Sequence, residues 1–256
     1  MRCPDCSEDY GIELEFCPFC SGRNPRGPVP VGTEMRYFQN FTEDLAGNPR
    51  PLVPVEFDLK GPWDFSEGPT EAEMVWTAID RKSAPDAVNF PDAPLIGRMD
   101  ISNLTHFYSF DRKDEDGVKK WGWASYSYLS KVPRIATYNP PSYDLRYPLD
   151  VGRSWENEYK IVYSGLGPVE PHGVKETIKY IASNRVVTPF DTYGNCILIQ
   201  YKTTTVREGE MSSTTCYSWR VPEVGKVVTI ISKENEENEV FTEAHLISRL
   251  KFTGKE

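Results

Sequence analysis

Cys196-Ile-Leu-Ile-Gln-Tyr-Lys-Thr-Thr-Thr-Val206 and, after Arg207-Glu208-Gly209-Glu210, Met211-Ser-Ser-Thr-Thr-Cys-Tyr-Ser-Trp-Arg-Val221 decide the fold of this chain. Both runs are rich in β-branched and aromatic residues, which favour a pleated, half-buried surface. Glu208-Gly209 supplies the turn between them, so the pair reads as a β-hairpin. Cys196 and Cys216 sit inside these strands among apolar neighbours (Ile197 and Leu198; Tyr217 and Trp219) and read as small hydrophobes, not reactive thiols.

The same pattern continues in both directions. Val53 to Leu59 alternates through Val55, Phe57 and Leu59. Thr105 to Phe110 and Lys119 to Leu129 flank the turn Asp114-Glu115-Asp116-Gly117. Trp155 to Tyr163 alternates through Trp155, Tyr159, Ile161 and Tyr163, and Lys175 to Val187 follows. Lys226 to Lys233 and Val240 to Phe252 flank the polar run Glu234 to Glu239. Roughly ten strands in sequential hairpins predict a mainly β fold, an antiparallel sheet closed into a barrel or paired as a sandwich. Composition agrees: 21 Pro and 18 Gly punctuate a chain that is 12% aromatic, which leaves no room for a helical bundle. One segment is ambiguous. Thr70-Glu71-Ala72-Glu73 has the form of a capping box, and Ala72, Val75, Trp76 and Ile79 share a helical face. Met74 to Ile79 serves equally as a strand and is read as one.

The first residues have a different character. Cys3, Cys6, Cys17 and Cys20 form two Cys-x2-Cys knuckles ten residues apart, each stiffened by a proline, Pro4 and Pro18. A two-residue spacer turns the backbone so that both sulfurs of a knuckle face one side. Two knuckles joined by a short hairpin through Ile12, Leu14 and Phe16 then present four thiolates, the ligand set of tetrahedral zinc. Iron also suits four such sulfurs, and zinc is the more common occupant. Four protein ligands leave no position for a water, so the expected ion is structural. Residues 1–22 form this unit, residues 23–32 (Arg23-Asn24-Pro25-Arg26-Gly27-Pro28-Val29-Pro30-Val31-Gly32) a Pro/Gly-rich linker, and residues 33–256 the β-rich domain.

Cys-Pro-x-Cys followed by Phe-Cys-Pro-x-Cys resembles the small bacterial zinc ribbon found at protein N-termini. Ser7 and Ser21 stand where that ribbon usually has glycine, a change to knuckle geometry and not to the ligands. In the larger domain, Trp63-Asp64-Phe65-Ser66, Asn89-Phe90-Pro91, Tyr147-Pro148-Leu149 with Gly152 and Trp155, Asp191-Thr192-Tyr193-Gly194 and Tyr217-Ser218-Trp219 occur in an order similar to a β-rich module of bacterial secreted and surface proteins. The Pro-Leu-x-x-Gly-x-x-Trp element also resembles β-sheet domains of envelope lipoproteins. That resemblance implies no catalytic residue.

Charge removes one class of partner. The chain carries a net −9, and residues 1–30 hold three basic residues (Arg2, Arg23, Arg26) against five acidic ones (Asp5, Glu8, Asp9, Glu13, Glu15). Nucleic acid needs a basic face. No apolar run approaches the length of a membrane span, and no signal-peptide core follows Met1-Arg2. These features and four closely spaced thiols predict a cytoplasmic chain. No catalytic constellation is present. His106, His172 and His245 are scattered and read as hydrogen-bonded or surface residues. Asp111, Asp114 and Asp116 read as a charged hairpin and not a calcium loop, because Arg112 breaks the ligand spacing. The aromatic run at Trp121 is the most suggestive feature. Period two places Trp121, Trp123, Ser125 and Ser127 on one face and Gly122, Ala124, Tyr126 and Tyr128 on the other, as core packing or as one wall of a ligand groove. The expected function is a non-enzymatic zinc-ribbon protein whose β domain binds or scaffolds, with the ribbon docking to a protein partner. The alternatives are a hydrolase with acidic residues in an aromatic cleft and a carrier of an apolar ligand. Elemental analysis of the chain purified under reducing conditions is expected to find one zinc per chain, with Cys17→Ser abolishing stoichiometric binding.

Overall fold

The computed structural model describes residues 30–43, 49–101, 105–127, 132–165, 169–222 and 224–255. Cys3, Cys6, Cys17 and Cys20, with most of the 23–32 linker, lie outside the described residues. The strands are β1 (Thr33–Gln39), β2 (Val53–Pro54), β3 (Trp63–Asp64), β4 (Ala72–Ile79), β5 (Leu95–Ile101), β6 (Thr105–Asp114) and β7 (Gly117–Ser127). They continue as β8 (Arg134–Arg146), β9 (Ser154–Gly165), β10 (His172–Val187), β11 (Thr192–Arg207), β12 (Glu210–Val221), β13 (Gly225–Ser232) and β14 (Glu243–Lys255). The hairpin expected around Glu208-Gly209 joins β11 to β12. Arg207 lies opposite Glu210, and both turn residues have positive φ, 52° and 84°. A turn of that hand matches the right-handed twist of the strands it joins.

From β4 to β14 each strand pairs antiparallel with the next, β4 pairs with β1, and β1 pairs with β14. The sheet therefore closes on itself as a twelve-stranded antiparallel barrel, the barrel alternative of the sequence reading. Closure removes the exposed edges that an open sheet of this width would present. The ambiguous segment at Thr70 is the strand β4. Its inner neighbours, Met35 opposite Trp76 and Met99 opposite Trp76, give it a cross-strand packing surface that a helix there would lack.

The two faces of the wall have different roles. The outer face carries two apolar patches, each covered by a segment that leaves the barrel. Residues 53–69 cross the outside from β14 to β10, with Val53–Pro54 pairing to β14 and Trp63–Asp64 pairing parallel to β10. Beneath them Phe57, Trp63 and Phe65 pack on Trp219 with ring centroids 5.7, 6.0 and 4.7 Å away, and Trp219 is fully buried. Residues 80–94 form the second cover. Phe90 stacks on Phe110 at 4.1 Å, and Ala84, Ala87 and Ala93 pack around Ile96 and Ala124. Each cover is held by one arginine. Arg81 donates to the carbonyls of Ala87, Phe90 and Ala93. Arg249, 1% exposed, donates to those of Phe65, Ser66 and Pro69. A loop backbone laid over an apolar patch cannot pair with a neighbouring strand, and a guanidinium, with five donors, satisfies several of its carbonyls at once.

Arg249→Met, close in size but without donors, is expected to leave three carbonyls unpaired and to cost about 3 kcal/mol. Urea unfolding should show a lower midpoint with an unchanged slope; an unchanged midpoint would show that Arg249 does not hold the cover.

Candidate functional site

The inner face is shown by bonds that cross the ring. Along the wall, β9, β10 and β11 lie between β8 and β12, yet Arg220 on β12 donates to Asp144 Oδ2 on β8 at 2.7 Å. Tyr201 on β11 donates to the Asp144 carbonyl at 3.2 Å. Two consecutive prolines, Pro140 and Pro141, explain how β8 reaches inward. Proline has no N–H to give a ladder, and pairing of β8 with β9 ends at Asn139. Beyond that point the Asn157 side chain stands in for the missing strand contact, donating to the Tyr143 carbonyl at 2.8 Å and accepting from the Tyr143 N–H at 3.2 Å. Released from β9 but still paired with β7, residues 142–146 place Asp144 among the cations of the interior and Leu145 among Trp155, Ile178 and Ile199.

Asp144 bridges two cations, Lys120 Nζ at 2.6 Å and Arg220 at 2.7 Å. Burial alone would raise its carboxyl, but Arg220, Lys120 and Lys226 override it and hold the group well below the usual carboxylate range. Lys226, directly opposite Arg220 on β13, is pushed down to about 8 by burial and by that guanidinium. Asp111 moves the other way. Burial raises it to about 6 against the pull of Lys120, and its Oδ1 has no hydrogen-bond partner among the described residues.

Asp111 and Lys120 face each other across β6 and β7. They border an open cavity of about 240 Å³ that is also lined by Met99, Phe107, Ser109, Gly122, Trp123 and Tyr138. Lys120 lies deep inside the barrel yet keeps 42% of its side-chain surface accessible, because it borders this space. Trp123 meets Phe107 edge-on at 6.1 Å and Tyr163 at 6.2 Å, so its ring is fixed from two sides.

A β-bulge builds the floor and corrects the period-two reading of the aromatic run. Phe110 pairs with Gly122 and Asp111 with Lys120, which leaves Trp121 as the extra residue. Trp123 points inward as one face of that reading requires. Trp121 instead packs outward with Ala124, Tyr126 and Tyr108, and Lys120 takes the inward place. Gly122 permits this. Its φ is 150°, and a Cβ there would lie 2.1 Å from the Ala136 carbonyl oxygen.

The other residues singled out from sequence do not converge. Cys196 is fully buried on the outer face and its thiol is pushed up to about 12 by burial, whereas Cys216 lies inside near Lys226. His106 contacts Asp100, and His245 offers its carbonyl to Asn40. His172 belongs to a strand. It opens β10, buried, with Nδ1 3.2 Å from the Tyr163 hydroxyl. Asp114 caps its own turn through the N–H groups of Asp116 and Gly117, while Asp111, grouped with it by sequence, belongs to the interior. Among the described residues no three His, Cys, Asp or Glu side chains form a group able to hold a metal. The zinc expectation rests on cysteines outside them. Asp144, Lys120, Arg220 and Lys226 were not singled out. The signal for Arg220 is its place between Trp219 and Val221, a charge at a position where the strand alternates toward the interior.

Among the described residues no helix is long and apolar enough to cross a membrane. No family model matches the sequence, and comparison with curated proteins returns no match. Solved structures that resemble the chain include one from Parabacteroides distasonis described as "a putative lipoprotein", 13% identical over 89% of this chain and 97% of that one, with a TM-score of 0.43. Another, from Bacteroides fragilis, is described as "a putative exported protein with YmcC-like fold", 11% identical over 89% and 98%, with a TM-score of 0.35. These are proteins of the kind that the order of motifs in the β domain resembled. They also overturn the cytoplasmic assignment, which is withdrawn.

Asp144 and Asp111 give stability opposite dependences on pH. Asp144, held low, contributes stability that is present above about pH 4 and is lost as pH falls further. Asp111, raised to about 6, lowers stability as pH climbs from about 4 to 6. Asp111→Asn is therefore expected to be more stable than the natural chain by about 2 kcal/mol at pH 7.5 and equal to it near pH 4, as measured by urea unfolding across that range.

Proposed function

We propose that the chain is a non-enzymatic binding protein whose barrel interior holds a small ligand, with the N-terminal cysteine segment, braced by zinc, docking it to a protein partner. One observation carries the ligand site: an open internal cavity with apolar and aromatic walls and a few polar groups gathered at one place, the usual composition of a small-molecule site. The inward charges weigh against a carrier of long apolar chains, since such a ligand would strip solvent from Lys120 and Asp111.

A hydrolytic reading has its own support, because two interior carboxylates pushed in opposite directions are the pattern of an acid and base pair. The commitment of Asp144 weighs against it. One oxygen is paired with Lys120 and the other with Arg220, which leaves neither free to attack a substrate or to activate water.

Ser109→Leu would extend a side chain into the cavity while leaving the Asp144 bridge untouched. Thermal-shift screening of both forms against a library of soluble metabolites should give compounds that raise the melting temperature of the natural chain and not of the variant. Compounds that act equally on both forms, or none that act on either, would sink the internal site.

A further inference from the structure

The floor of the cavity has a specific polar pattern. Asp111 and Lys120 are directly opposed residues of adjacent strands, a pairing that sets their Cβ atoms about 5 Å apart. Asp111 borders the accessible space and brings a carboxylate acceptor to it, while its Oδ1, closed off from that space, has no partner among the described residues. Lys120 has already given one hydrogen bond to Asp144 and retains further donors toward the accessible space. The floor thus sets an acceptor beside a donor, with the two formal charges balanced. The walls are Trp123, Phe107 and Met99, and Tyr138 borders the same space.

We infer that the ligand is a neutral, hydroxyl-rich ring of monosaccharide size, which donates one hydroxyl to Asp111, accepts at a neighbouring hydroxyl from Lys120, and lays its C–H face on Trp123. This rests on the internal binding site proposed above and names its ligand class. An anion would be repelled by the Asp111 carboxylate. An ammonium would meet Lys120, with Arg220 and Lys226 behind it. A purely apolar molecule would leave the Asp111 oxygen and the Lys120 donors unmatched. Adjacent hydroxyls are each both donor and acceptor, so they satisfy an acceptor and a donor held side by side. The volume of about 240 Å³ falls below the range of about 300–1,000 Å³ typical of drug-sized ligands, which suits a single ring.

Calorimetric titration of the full chain with glucose, galactose, mannose and N-acetylglucosamine tests this, with glucuronate and glucosamine as charged controls and cyclohexanol as the apolar one. At least one neutral sugar is expected to bind, at least tenfold more tightly than the charged sugars. Asp111→Asn, which keeps the side-chain shape, should weaken that sugar by tenfold or more, and Trp123→Leu should do the same through the wall. Preference for glucuronate, glucosamine or cyclohexanol, lost in Ser109→Leu, would overturn the sugar assignment and keep the internal site. Absence of binding by every probe would overturn the sugar assignment, and the metabolite screen with Ser109→Leu would then decide the internal site by itself. Sugar binding unaffected by both Asp111→Asn and Trp123→Leu would place the sugar elsewhere and overturn the proposal.

Discussion

The interior of this barrel is organised by one carboxylate. Asp144 holds Lys120 from β7 and Arg220 from β12, so a single side chain ties two parts of the ring that no strand pairing connects. Taking these charges out of water is costly, and such a bridge adds little net stability compared with a well-packed apolar cluster. What it supplies is position. The two cations must sit where Asp144 can bridge them, and that keeps β8 turned inward and Lys120 at the floor of the cavity. An interior filled with leucine and phenylalanine would collapse to packing density and leave no space. Charges that must each find a partner hold the walls apart.

Inside the barrel the charges share the space with an apolar cluster of Leu145, Trp155, Ile178, Tyr180 and Ile199, and further apolar burial lies on the outside of the wall. The covers at residues 53–69 and 80–94 convert two stretches of outer face into small cores, centred on Trp219 and on the stacked Phe90 and Phe110. Elsewhere the outer face is left to solvent, as the charged residues Glu156, Glu158 and Lys175 of β9 and β10 show. A lipid-facing wall would present an apolar band at that place. Each cover is fixed by an arginine that binds carbonyl groups and not carboxylates, because the need there is to satisfy loop backbone that has left the sheet.

The site and the fold share their irregularities. Prolines in β8, the bulge at Trp121 and the close approach of Gly122 to Ala136 each break a regular ladder, and together they bring Asp144, Lys120 and Asp111 to one place. Regular strands would have alternated these residues in and out without gathering them. Departures from ideal pairing are common next to functional sites, where they re-aim a side chain that the pleat would direct elsewhere.

Period-two alternation, turn residues and the paired cysteine knuckles are local properties. The sequence alone therefore determined a mainly antiparallel β domain, the Glu208-Gly209 hairpin, the strand at Met74 to Ile79, and the expectation of a four-cysteine metal unit ahead of it. Which strands close the ring, which segments leave it as covers, and which charges meet inside depend on residues far apart in the chain, 76 positions for Arg220 and Asp144 and 184 for Arg249 and Phe65. Asp111 read as part of a charged turn because its neighbours Asp114 and Asp116 are one, and Trp121 read as a partner of Trp123 because a bulge leaves no mark on alternation. Only the tertiary structure decided these points, since pairing across a barrel is set by the whole ring and the free energy of a buried charge by whatever faces it from the other side.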